Sequence, residues 1–369
     1  MQKSEEQKPE GWFASRLGRI LLIIAVPIAT FLILSQGYLF LKNSEASHLV
    51  IVLVAIVWGV GGVALLFVIF NWLAEQLPPK WTRRIQPFIF IGPAVALMGW
   101  YLAVPVLRTL VLSFKNDIST EWVGLQNYVF AFTDRIMLET FRNNLLWMIV
   151  GTSLSVGIGL LVAVLADRSR FETVYKSIIF MPMAISFVGA GIIWKFMYTY
   201  RGEGVGIQEI GLLNAVVAAL GGTPQPWLNI PPWNNFFLIA IMVWLQTGYA
   251  MVILSSAIKG IPAELLEAAR IDGASEVQAF FRISVPYIKG TLITVTTTIV
   301  IFSLKLFDIV RVMTGGNNGT NVIANEFYLQ RFTYGNTGRA SAIAIVLLVA
   351  VIPVIVNNLR AFNKDRRAF

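Results

Sequence analysis

The sequence predicts an all-α, polytopic membrane protein with about eight transmembrane helices. Three observations predict it. Hydrophobic residues make up 56% of the chain and charged residues 13%, with a mean hydropathy of +0.70, whereas about a quarter of the residues of a soluble domain are charged. Eight apolar stretches reach or approach the roughly 20 residues a helix needs to cross a hydrocarbon core: residues 20–41, 49–73, 87–112, 144–166, 177–198, 236–257, 286–310 and 340–359. The basic residues between them alternate in density, with eighteen Lys and Arg in the termini and the second, fourth and sixth connections, counting Lys289 at the edge of the last. Only Lys42, Lys115, Arg135, Arg142, Arg201, Arg311, Arg331 and Arg339 lie in the others. The positive-inside rule then places both termini in the cytoplasm of a cell whose inner membrane holds the chain.

The net charge of +9 accordingly reads as topology and contact with anionic lipid headgroups. It does not read as a nucleic-acid surface, because no basic stripe interleaves with aromatics. The absence of cysteine and the single histidine, His48, exclude disulfides and a zinc site and imply no cofactor.

Taken in order, the first stretch is longer than a signal-peptide core and is expected to be an anchor. The first two stretches and the basic linker Leu77–Arg84 form a segment, residues 1–84, apart from a core at 85–369. Gly151, Ser153, Ser155, Gly157 and Gly159 on the fourth stretch suit close approach of helix backbones. The outer connection from Tyr200 to Asn235 holds an apolar run, Ile210 to Leu220, too short to span and expected as an interfacial helix. Gly202, Gly204 and Gly206 in the same connection lack the strand and helix of a dinucleotide site. Asn318-Gly-Thr320 is a formal glycosylation sequon, better explained as a polar turn.

The sixth stretch contains Trp244, Gln246 and Tyr249, and the seventh Phe302, Ser303, Lys305 and Asp308. Polar side chains inside spans are costly unless they pair or face a cavity. Aromatic faces beside amides and hydroxyls suit a sugar or polyol. Interhelical hydrogen bonding is the competing explanation for Gln246 and Tyr249. Lys305 and Asp308, three apart on one expected helix, are read as an ion pair.

Between these stretches, residues 259–286 are polar. Pro262 at a helix start, Glu264 and Glu267 toward its N-terminus, Arg270 toward its C-terminus and Gly273 beyond it predict a helix of about 11 residues. Ser275 and Gln278 form a capping-box pattern for a second helix. Gly273 permits a left-handed turn, so the first helix ends abruptly and projects as a knob with a smooth flank at Ala268 and Ala269.

The spacing Glu267-Ala268-Ala269, three residues, Gly273, nine residues, Ile283, one residue, Val285-Pro286 resembles the EAA loop of ABC importer permeases, with Val285 where Leu is usual. The stretch from Gln86 through Gly124-Leu-x-Asn-Tyr128 resembles the opening of that family's six-span core. Phe180-Met-Pro182, Ile192-Ile-Trp194-Lys195 and Pro231-Pro-Trp-Asn-Asn resemble its carbohydrate branch, in the α-glucoside and glucosylglycerol group. The resemblance implies a permease subunit of an ATP-driven importer of a neutral glucoside or compatible solute, not an enzyme. It implies as partners a second permease subunit, a pair of ATPase subunits and an extracytoplasmic solute-binding protein. It assigns ATPase coupling to Glu267, Ala268, Ala269, Asp272 and Gly273, and solute contact to Trp244, Gln246, Tyr249, Phe302 and Ser303. Consistent with a separate ATPase, the sequence has no G-x-x-x-x-G-K-[ST] phosphate loop. An ion-coupled secondary carrier is the alternative class, for which an intramembrane acid is needed and only Asp308 qualifies.

Overall fold

The computed structural model describes residues 16–167, 169–201 and 211–365, with the side chains of 16–22 and 357–365 left aside. Lys3, Lys8, Arg168, Arg366 and Arg367 of the orientation argument lie outside the described residues, as do Gly202, Gly204 and Gly206. The chain divides into two units, residues 1–106 and 107–369.

The first unit contains α1 (Arg16–Asn43), α2 (His48–Glu75) and most of α3 (Pro79–Leu112). Pro78 caps α3 and Pro79 opens it, because a first-turn residue has no intrahelical use for its N–H. Most of the basic linker is therefore the first turns of this helix. Inside the unit the Trp58 indole lies directly over Gly37, where a Cβ would come within 2.0 Å of the ring. Phe67 and Phe90 stack at 5.9 Å. Most outward side chains of α1 to α3 are apolar and exposed, as lipid requires.

The second unit is built around α9 (Trp233–Lys259), the most buried of the long helices. The other elements are α4 (Gln126–Thr133), α5 (Arg135–Asp167), α6 (Glu172–Phe180), α7 (Phe187–Met197) and α8 (Leu212–Ala219). After α9 come α10 (Ala263–Ile271), α11 (Glu276–Tyr287), α12 (Lys289–Leu304), α13 (Asp308–Met313), α14 (Ile323–Tyr328) and α15 (Thr337–Asp365). Among the described residues the only extended pairing is one isolated bridge between Lys115 and Trp122.

Glycine explains how close α9 lies to its neighbours. A Cβ on Gly159 of α5 would sit 2.6 Å from the Ala250 Cβ and 3.0 Å from the Met251 nitrogen. Gly151, Ser155 and Gly159 recur every four residues and are buried on this face, whereas Ser153 and Gly157 are exposed. On another side of α9, a Cβ on Gly248 would meet the Ile179 carbonyl oxygen at 2.6 Å and the Phe180 Cα at 2.8 Å.

Among the described residues six helices are long and apolar enough to cross a membrane, and the number is eight when each of two bent pairs is counted as one span. The fifth expected stretch is one such pair. Its first helix passes through a 3-10 turn, Met181–Ala184, and the direction changes by 102° before α7. Ser186 accepts from the Gly189 N–H at 3.0 Å and so starts α7 afresh. The seventh stretch begins in the other pair, whose two helices, α11 and α12, are bent by 73° at Ile288. Upstream of the bend, residues Phe280–Ser284 widen to a π-helix, because Pro286 has no N–H to return to the Arg282 carbonyl.

The seventh stretch also ends earlier than its hydropathy implies. Lys305 is the C-cap of α12, Phe307 has φ −131°, and Asp308 opens α13, where an acid suits the positive end of the helix dipole. Lys305 and Asp308 therefore do not share a helix, and the ion pairs among the described residues do not join them. In the outer connection, α8 falls within the apolar run expected to form a short helix.

Candidate functional site

Residues 259–286 form a helical hairpin whose local rules are all satisfied. Helix α10 is nine residues long, shorter than expected, with Pro262 at its N-cap and Asp272 at its C-cap. Gly273 has φ +80°. Its N–H bonds to the Arg270 carbonyl at 3.1 Å, and that of Ala274 to the Ala269 carbonyl at 2.9 Å. This is the paired closure of a Schellman turn. Nothing lies within 4 Å of where a Gly273 Cβ would stand, so glycine is required by the torsion angle and not by crowding. Arg270 bridges the turn to Glu276 at 2.9 Å, and the Ser275–Gln278 capping box is complete.

The hairpin presents a mixed surface. Glu267, Ala268, Asp272 and Gly273 are exposed, while Ala269 is buried. Ile271 is 86% exposed, with Val277 and Phe281 also open. The sequence reading missed these apolar residues. The signal was present, since they are large hydrophobic side chains in an otherwise polar hairpin, a pattern that marks an interaction surface.

The mid-membrane candidates do not form a single cluster. Trp244 lines an apolar cavity of about 600 Å³ with Leu154, Ile178, Phe236 and Thr247, and its ring meets that of Trp194 edge-on at 5.8 Å. Gln246 is two residues further on, about 200° around the helix. It shares its side of α9 with Tyr249, Ile253 and Ser256, the last two exposed. Among the described residues neither the Gln246 amide nor the Tyr249 hydroxyl has a hydrogen bond. On α12, Phe302 packs against Phe187 at 4.8 Å. Ser303 is 1% exposed and donates to the Val300 carbonyl at 2.9 Å. Among the described residues no group of three or more metal-ligating side chains occurs.

Long apolar helices, two bent pairs and a hairpin closed by a glycine turn define a polytopic membrane protein with an exposed helical knob. The chain belongs to the family of binding-protein-dependent transport system inner membrane components, whose pattern matches residues 155–368. It is thus a multi-pass inner-membrane transport subunit of the ABC importer class, not an enzyme, and the secondary-carrier alternative is not favoured. It is 54% identical over 279 residues to the osmoprotective compounds uptake permease protein GgtC of Synechocystis sp., covering 76% of this chain and 99% of that protein. It is 48% identical over 284 residues to the alpha-glucoside transport system permease protein AglF of Rhizobium meliloti, covering 77% and 84% respectively. Among solved structures it is similar in fold to a chain of a bacterial ABC transporter that imports alginate, with a TM-score of 0.63 at 18% identity, covering 78% of this chain and 99% of that one.

Proposed function

We propose that this chain is the permease for a neutral glucoside or related compatible solute, such as glucosylglycerol, and works with a second permease subunit. A pair of ATPase subunits and an extracytoplasmic binding protein complete the proposed assembly. The observation that carries the reading of mechanism is the exposed hairpin α10–α11, rigidly closed at Gly273 and offering Ile271, Val277 and Phe281 beside Glu267, Ala268 and Asp272. Such a knob suits docking into a cleft of a separate protein. Solute class rests on the relatives named for osmoprotective compounds and alpha-glucosides.

In this reading both termini and the hairpin are cytoplasmic, and residues 1–84 are an addition to an importer core at 85–369. Gln246 and Tyr249 face the solute path with unspent hydrogen-bonding groups. Trp244 and Phe302 are half-buried among aromatic and apolar neighbours and Ser303 is buried, and the three join the path when helices part during alternating access. ATP-driven closure of the ATPase pair moves the hairpin, and the hairpin moves α9 and α12, to which it is joined at both ends.

The test is uptake of a panel of labelled glucosides and polyols by cells with and without this chain, and with and without the ATPase. The proposal expects uptake of a neutral glucoside that needs both proteins. Uptake that persists without the ATPase would restore the secondary-carrier reading.

A further inference from the structure

Where α5 and α9 end and α6 begins, four charged side chains and a serine meet. Lys176 of α6 contacts Asp167 at the end of α5, Glu172 one turn back at 2.5 Å, and the hydroxyl of Ser255 on α9. The Ser255 hydroxyl bonds to the same Asp167 oxygen at 2.7 Å. Lys259, the last residue of α9, reaches Glu172 at 2.5 Å. Two acids and two bases balance, and one ammonium reaches oxygens on three helices.

This arrangement differs from an ordinary surface ion pair. The Lys176 and Asp167 side chains are only 17% and 12% exposed. Asp167 sits at the C-terminal end of its helix, the end at which the dipole disfavours an acid. Its local position therefore costs stability that the contacts to Lys176 and Ser255 offset. The second Asp167 oxygen, Oδ2, has no hydrogen-bond partner among the described residues. Asp167 also borders a cavity of about 190 Å³ whose other walls include Leu266, Arg270 and Glu276 of the hairpin and Ser284. The cluster thus extends from the roots of three spans to the charged pair that bridges the Gly273 turn. Only Gly260, Ile261 and Pro262 separate Lys259 from α10.

We propose that Lys176 is a positioning residue for energy transfer: it fastens the roots of α5, α6 and α9 into one block, so that displacement of the hairpin is passed to the spans. Without it, the movement delivered through the three-residue connection after Lys259 would shift α9 against α5 and α6 instead of carrying them with it. The proposal rests on the coupling role of the hairpin proposed above.

The test uses the complete complex in proteoliposomes and measures solute imported per ATP hydrolysed, for Lys176→Met, Lys176→Arg and Asp167→Asn, with Gly273→Val as reference. Lys176→Met is expected to co-purify with its partners yet lower the ratio roughly 2- to 30-fold, the range set by coupling terms along such networks. Lys176→Arg, which keeps the charge and the donors, is expected to retain most of it. Asp167→Asn, nearly isosteric, is expected to lower the ratio as well and carries the test if Lys176→Met does not assemble. A merely structural role would reduce uptake and hydrolysis together and leave the ratio unchanged, which overturns the proposal. If Gly273→Val lowers the ratio and the cluster variants do not, only the Lys176 proposal falls. If Gly273→Val also leaves it unchanged, the coupling role of the hairpin falls too.

Discussion

Replacing Gly248 with alanine adds one methyl group at the point where α9 touches the backbone of α6. The new Cβ would stand 2.6 Å from the Ile179 carbonyl oxygen and 2.8 Å from the Phe180 Cα. Ordinary contact begins near 3.4 Å, so the two helices must separate by about 0.8 Å. Because the obstructing atoms are backbone, no rotamer change relieves them. Overpacking of this kind costs about 1–3 kcal/mol. Gly157 on α5 supplies the control, since nothing lies within 4 Å of its Cβ position. Alanine there should be neutral or stabilise by up to about 1 kcal/mol through helix propensity. The assay is thermal inactivation of the detergent-solubilised complex, followed by size-exclusion profile, with membrane abundance measured alongside. Gly248→Ala should lose its assembled peak at a lower temperature than the wild type, and Gly157→Ala should not. Equal behaviour of the two variants would refute the claim that glycine sets the distance between α9 and α6.

Three further outcomes follow from the proposed sites. Gly273→Val should insert normally but lose uptake, with reduced retention of the ATPase or uncoupled hydrolysis, because a β-branched residue resists φ +80°; Gly273→Asn should be milder, since asparagine tolerates that region. Co-purification of the ATPase with each variant checks this. Glu267→Lys, reversing an exposed charge on the hairpin, should weaken the same association without altering membrane abundance, measured by quantitative immunoblot. Gln246→Leu and Tyr249→Ala should each lower the initial rate of solute uptake roughly fivefold, the effect of one hydrogen bond of about 1 kcal/mol. Equal loss of the protein from the membrane would instead make them packing residues.

The hairpin was legible in the sequence because its determinants are local. A proline start, a capping box and a glycine in the left-handed region each act within a few residues, and each is present in the structure. The spans were legible because about 20 apolar residues in succession have few alternatives in a membrane. Hydropathy carries no information about direction, so the bends at Ile185–Ser186 and Ile288 were missed, although Pro182 followed by a capping serine was a usable sign. The same blindness hid the break at Lys305. Trp244 and Gln246 looked like neighbours in sequence, yet helical geometry puts them on different sides of α9. The Lys176 cluster joins residues up to 92 positions apart, Asp167 to Lys259, and only the Glu172–Lys176 spacing hinted at it.

The central claim is that the hairpin of residues 259–286 faces the cytoplasm and docks against an ATPase. The chain contains no cysteine, so a single cysteine replacing the exposed Ala268 can be followed without background. In intact cells it should resist a membrane-impermeant thiol reagent, and in inverted vesicles it should cross-link to the ATPase subunit through a short bifunctional reagent. Labelling from outside intact cells, or free reactivity in inverted vesicles with no cross-link to the ATPase, would contradict the account.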